Sequence, residues 1–161
     1  MPVIQAKSAG FCYGVRRAVE LAEKTAQETG GCVMLGSIIH NANVVAQLER
    51  LGARQADTPD QVCPGDTVII RSHGEPESFY RTAEEKGVAL VDSTCVFVTK
   101  IHDIVHKAHA EEKGIIIVGN PEHQEVIATN GWCDYRGYIL QSREDAEALT
   151  RNHPEPVSYT H

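Results

Sequence analysis

The feature that most constrains this chain is an alternation of short apolar runs with stretches of helical period. Residues 3–6, 32–35, 67–70, 88–91 and 115–118 are runs of mostly apolar side chains, and runs of that length bounded by turn residues read as buried strands. Between them the apolar positions recur every three or four residues. Val15, Ala18, Val19, Ala22 and Ala26 form one stripe, Glu20 stands four residues before Lys24, and Gly30-Gly31 closes the segment. That is the pattern of an amphipathic surface helix. Asn41 or Asn43 suits the cap of a second helix running to "LERLG", and Pro76 suits the first position of a third that ends at "EEKG". A fourth helix follows Cys95, with residues 97, 98, 101, 104, 105 and 108 on one face and a second "EEKG" as its stop. Strand, helix, strand repeats imply an α/β fold of parallel sheets with right-handed crossovers and flanking helices. Residues 157–160 read as one further strand, reached without a turn or capping signal.

Charge and cysteine usage narrow what such a sheet protein does. With 42% hydrophobic residues in 161, the chain is able to bury a core. A net charge of −7 argues against a nucleic-acid surface, which needs concentrated lysine and arginine. No stretch approaches the roughly 18 apolar residues of a membrane span, and "MPVIQAKSAG" lacks the basic start and apolar middle of a signal peptide. These features predict a cytoplasmic protein with no membrane partner. Its five cysteines, odd in number and without CxxC spacing, are then expected to be reduced.

The residues just after the expected strands are all of reactive type: Cys12, His40, Ser72-His73-Gly74, Cys95, and His123 with Glu125. Loops at the carboxyl ends of parallel strands line the ligand crevice of an open sheet, so these groups are expected to face one space. Cys12 and Cys95 each precede a helix, where free backbone N–H groups and the helix dipole favour a thiolate; both are expected to be metal ligands. Cys32, Cys63 and Cys133 lack that setting and read as packing or surface residues. "SIIHNAN" and "RSHGEPE" put His40 and His73 beside small or amide residues at a helix start, as phosphate recognition requires. His102, His106 and His109 have zinc-compatible spacing but stand among Asp103, Lys107 and Glu111, and the expectation is a solvated helix flank. His153 and His161 are set aside. A Cys-x5-Arg phosphatase loop would need arginine where Ala18 stands, and neither GxxxxGK[ST] nor GxGxxG occurs after a strand. Zinc held by two cysteines and two histidines remains open.

Five ordered blocks, "AGFCYGVRRAVE", "GSIIHNANVV", "VIIRSHGEP", "DSTCVFVTKIH" and "VGNPEHQEVIATNGWC", resemble the 4-hydroxy-3-methylbut-2-enyl diphosphate reductase (LytB/IspH) family over essentially the whole chain. The resemblance implies two similar α/β lobes of a three-lobed parent: residues 1–13 as a strand and cluster loop packing with the third lobe, 14–94 as the first lobe, and 95–161 as a truncated second. It implies reductive dehydroxylation of (E)-4-hydroxy-3-methylbut-2-enyl diphosphate to isopentenyl and dimethylallyl diphosphates, the last step of the non-mevalonate pathway. By position Cys12 and Cys95 match two of three cysteine ligands of a 4Fe-4S cluster, His40, His73 and His123 match diphosphate-binding histidines, and Glu125 matches the proton relay. Ferredoxin or flavodoxin is the implied electron donor. The third cysteine and a Ser-x-Asn phosphate loop are not in this sequence, so an amino-terminal fragment without a stable cluster or turnover is expected. Three positions depart from the family pattern: Val96 and Gln124 stand where proline is usual, and Ala128 where glycine is common. Two other classes of function stay in view, a zinc-dependent hydrolase of a phosphate ester and a non-catalytic diphosphate-binding fragment.

Overall fold

A computed structural model describes residues 3–4, 6–39, 41–152 and 158–159. His40, His153, His161 and the flanks 157 and 160 of the last expected strand lie outside the described residues.

The first half of the chain opens with helix α1 (Tyr13–Thr29) and continues through β1 (Cys32–Leu35), α2 (Ala42–Arg50), β2 (Ala53–Ala56), a short 3₁₀ turn (Pro59–Gln61), β3 (Thr67–Ile70), α3 (Glu77–Glu85) and β4 (Ala89–Asp92). Its four strands form one parallel sheet in the order β2-β1-β3-β4. Strand alternation divides the core. Cys32 and Met34 of β1 and Ile69 of β3 pack with Ala18, Ala22 and Ala26 of α1 on one face. Val33, Leu35, Val68 and Ile70 meet Phe79 and Ala83 of α3 on the other. Both faces are therefore covered, which is why the strands read as unbroken apolar runs. Full burial of each Val, Leu, Ile, Met or Phe among them stabilises the fold by about 1.5–3 kcal/mol.

The second half continues with α4 (Val96–Ala110), β5 (Ile115–Val118), α5 (Gln124–Gly131), β6 (Tyr138–Leu140), α6 (Arg143–Asn152) and β7 (Ser158–Tyr159). Its sheet is also parallel, in the order β6-β5-β7. Ile115 and Ile117 of β5 pack with Val105 of α4 and with Cys133. The strand expected at 157–160 is β7, paired with Ile115 and Ile116 through Ser158 and Tyr159.

Helix ends follow local chemistry. The Asn41 carboxamide accepts from the N–H groups of Asn43 and Val44 and so caps α2. Pro76 is the cap of α3 rather than its first residue, with ψ 149°, and β4 starts one residue later than the apolar run suggested. At α6 the Ser142 hydroxyl accepts from the Asp145 N–H, while the Asp145 carboxylate accepts from the N–H groups of Ser142 and Gln141. This reciprocal box holds the Asp145 carboxyl below its ordinary range, the Gln141 N–H being the main cause.

The run at 3–6 departs from expectation. Its described residues form no strand, and Val3 and Ile4 are 96% and 91% exposed. An apolar stretch becomes a strand only where a neighbouring strand completes its hydrogen bonds, and no described strand lies beside this one.

Candidate functional site

Cys12 and Cys95 are the cap residues of α1 and α4, with extended backbones and no capping hydrogen bond from either side chain. Their helix starts are packed together. A β-carbon at Gly14 would lie 2.8 Å from the Cys95 sulfur, so only glycine lets the first turn of α1 seat against it. Arg17, three residues further along α1, donates to the carbonyls of Thr94 and Asp92 at 3.2 and 3.3 Å. The cysteine corner is therefore built from two helix N-termini, each presenting unpaired N–H groups toward negative charge. Cys12 is exposed and Cys95 half-buried, and their chain neighbours Phe11, Tyr13, Val96 and Phe97 are exposed as well. Sulfur donors of this kind are the type an iron–sulfur cluster takes. Among the described residues no three His, Cys, Asp or Glu groups assemble into a metal-sized set.

The histidines meet across the two sheets. His73 follows β3 and His123 caps α5, yet their rings approach edge-on with centroids 5.8 Å apart. The His123 Nδ1 accepts from the Glu125 N–H at 3.2 Å, so the neutral ring carries its proton on Nε2. Glu125 stands in the first turn of α5, half-buried. With His123 it lines a cavity of about 510 Å³ whose walls include Asn120, Ile117, Val126 and Thr129. A lining that mixes these polar and apolar side chains suits an amphipathic ligand. The cysteine corner adjoins this pair: the Cys95 N–H donates to the carbonyl of Ser72, the residue before His73, at 2.9 Å.

Several residues behind His73 escaped the sequence reading. The Arg71 and Glu75 side chains lie 2.7 Å apart and are 15% and 8% exposed. Burial pushes the Glu75 carboxyl up, and the Arg71 guanidinium opposes it. Arg71 also donates to the Gln124 carboxamide at 2.9 Å, and Trp132 donates through Nε1 to the Glu75 carbonyl at 3.1 Å.

His102 corrects the solvated-flank expectation. It is 2% exposed and stacks on Trp132 with ring centroids 5.3 Å apart, and burial lowers its pKa to about 4. The missed signal is its spacing from Val98 and Val105, which share its buried face. His106 and His109 do keep to the surface side, near Glu77 and Asp134. Cys32 and Cys133 are buried, their thiols pushed up by that burial, and Cys63 is exposed, as expected of packing and surface residues.

With this geometry in place, comparison with known proteins is informative. The family model described as LytB protein matches residues 3–161. A 4-hydroxy-3-methylbut-2-enyl diphosphate reductase of Caldanaerobacter subterraneus is 43% identical over 153 residues, covering 92% of this chain and 53% of the relative. One of Aquifex aeolicus is 39% identical, covering 98% and 56%. A solved structure of the (E)-4-hydroxy-3-methylbut-2-enyl diphosphate reductase, described as the terminal enzyme of the non-mevalonate pathway, superposes with a TM-score of 0.77 at 40% identity, over 92% of this chain and 54% of that one. The reductase structure from Plasmodium falciparum gives a TM-score of 0.84 at 30% identity, over 89% and 45%. The chain thus spans about half the length of the relatives it matches.

Proposed function

The chain belongs to the LytB family, and on that premise we propose that its protein reduces (E)-4-hydroxy-3-methylbut-2-enyl diphosphate to isopentenyl and dimethylallyl diphosphates. The observation that carries this reading is the adjacency of two unlike sites. Cys95 presses its sulfur on Gly14 beside the Cys12 corner and hydrogen-bonds through its backbone to Ser72, next to the His73–His123 pair.

In this reading Cys12 and Cys95 hold two corners of a 4Fe-4S cluster, and the third thiolate comes from outside residues 1–161. When bound, such a cluster supplies single electrons and a Lewis-acidic iron, which no side chain provides. His73 and His123 receive the diphosphate, with His40 as a third donor. The Nε2–H of His123 is a donor in the neutral ring as well as in the charged one. Glu125 delivers a proton to the departing hydroxyl, so that water rather than hydroxide leaves. The balance is two electrons and two protons consumed for one C–O bond broken, one C–H bond formed and one water released. Ferredoxin or flavodoxin supplies the electrons, and residues 1–13, 14–94 and 95–161 serve as the amino-terminal segment and two lobes of a three-lobed enzyme in the cytoplasm.

The test is anaerobic purification of the protein at its full natural length. The expected result is brown protein with absorbance near ~400 nm, turnover of the allylic diphosphate, loss of both in Cys12→Ser and Cys95→Ser, and loss of turnover with colour retained in Glu125→Gln. Colourless protein carrying zinc and hydrolysing phosphate esters would overturn the reading in favour of a hydrolase.

A further inference from the structure

We propose that Arg71 is a positioning residue for the diphosphate-binding pair, fixing the spacing of His73 and His123 by clamping the α5 cap onto the turn after β3. The inference rests on the reading that these two histidines receive the diphosphate.

Arg71 directly follows β3 and stands two residues before His73; Gln124 directly follows His123. The Arg71 Nη2 reaches Gln124 Oε1 at 2.9 Å and lies 2.7 Å from Glu75 Oε1. Its Nη1 lies 2.7 Å from where a β-carbon at Gly36 would stand, so the guanidinium is laid across the end of β1 as well. One planar group thus touches three chain segments, the end of β1, the His73 turn and the α5 cap, which a lysine ammonium has no geometry to do. Nη2 is committed to Gln124 and Glu75, and through that atom Arg71 acts on the turn and the cap that carry the two histidines.

The turn that Arg71 grips is rigid. Gly74 has φ +73°, and a β-carbon there would meet the buried His102 ring at 2.5 Å. The indole of Trp132 holds the Glu75 carbonyl from behind. The α5 cap has less of its own. Gln124 has no ring to fix its φ, as a proline would; the constraint is carried by its side-chain bond to Arg71. Pairing two flexible side chains across the two sheets converts the His73–His123 approach into a defined distance. A diphosphate with fixed oxygen spacing requires that definition.

The test is calorimetric titration of the full-length protein with inorganic pyrophosphate, together with steady-state kinetics, for wild type, Gln124→Leu, Arg71→Ala and the double variant. Gln124→Leu is expected to weaken pyrophosphate binding about tenfold and raise KM in parallel, with kcat held within about twofold. The double variant should bind no more weakly than Arg71→Ala alone, since both changes break one link. Unchanged binding in Gln124→Leu, or losses that add in the double variant, would overturn the clamp. If Arg71→Ala does not fold, the exposed Gln124→Leu arm decides alone. A wild type that ignores pyrophosphate, or binds it equally after His73→Ala and His123→Ala, would instead remove the diphosphate reading and the clamp with it.

Discussion

Behind His73 the protein is packed shut, whereas around Cys12 it is open. The His73 turn rests on the buried Arg71–Glu75 pair, the Trp132 indole and the His102 ring. The cysteine corner is held by the Gly14 seat and two Arg17 bonds, beneath aromatic side chains of which Phe97 is 72% exposed. On the proposed reading the difference divides the labour. Imidazoles that are to meet a diphosphate at fixed spacing would be preorganised by their own neighbours. Thiolates that are to bond to iron would gain their geometry from the metal once it binds, so the fold would have only to bring them to one place.

The largest effect is expected where the open side has its one tight contact. Gly14→Val drives a side chain into the Cys95 sulfur, which already lies 2.8 Å from the β-carbon position. Both thiols stay in the sequence, yet the anaerobically purified full-length protein should lose most of its iron and its visible absorbance. Iron content equal to wild type would show that the corner tolerates separation of the two helix starts, and the contrast drawn here would fail on its open side.

The packed side should respond in stability instead. Gly74→Ala places a methyl against His102 at a left-handed φ of +73°, and strain plus overpacking should cost about 2–4 kcal/mol. Denaturant titration of the full-length protein reads this, with iron content unchanged. A loss below about 0.5 kcal/mol would mean that the turn yields easily and is not the rigid element inferred.

How much of this was legible beforehand depended on whether a residue's role was set locally or across the fold. The strands β1 and β3 were legible because both sheet faces are covered there, leaving unbroken apolar runs; β4 and β5 were legible as apolar runs although each ends in an exposed residue. β2 was not: in "ARQA" only the two alanines are buried, the mark of an edge strand with polar residues outward. Cys95, His73 and Glu125 stood out by following strands, and Cys12 by standing at a helix start after an apolar run. Arg71, Glu75 and Trp132 gave no such sign, since each acts through a partner on another segment, 57 residues away for Trp132 and Glu75. His102 was misread because its charged neighbours outweighed its spacing from Val98 and Val105.

A smaller effect should follow from Trp132→Phe, which keeps the stacking surface on His102 and removes only the indole N–H to the Glu75 carbonyl. One half-buried hydrogen bond is worth about 1 kcal/mol, and the loss should appear as a modest drop in denaturation midpoint. If Trp132→Phe also weakened pyrophosphate binding as strongly as Gln124→Leu, the turn and the clamp would be a single mechanical unit rather than two.

The smallest effect at neutral pH, and the sharpest test of closed packing, is the titration of His102. Its pKa is lowered from 6.5 to about 4, mainly by burial, with Asp92 and Asp103 pulling the other way. The folded protein therefore binds fewer protons than the unfolded chain between those two values. By linkage, stability rises with pH across that window and is lost as pH falls from 6.5 toward 4. Above it the group is neutral in both states and the contribution is flat. Replacing the ring by His102→Phe keeps an aromatic surface against Trp132 and removes the titration, so the stability difference between wild type and variant should shift in favour of the variant as the solution is acidified through the window. A difference that stays constant from pH 7 to pH 4.5 would show that His102 accepts its proton in the folded state as readily as in the unfolded one. That result would mean water reaches behind the His73 turn, and the two regions of the site would then differ in composition but not in closure.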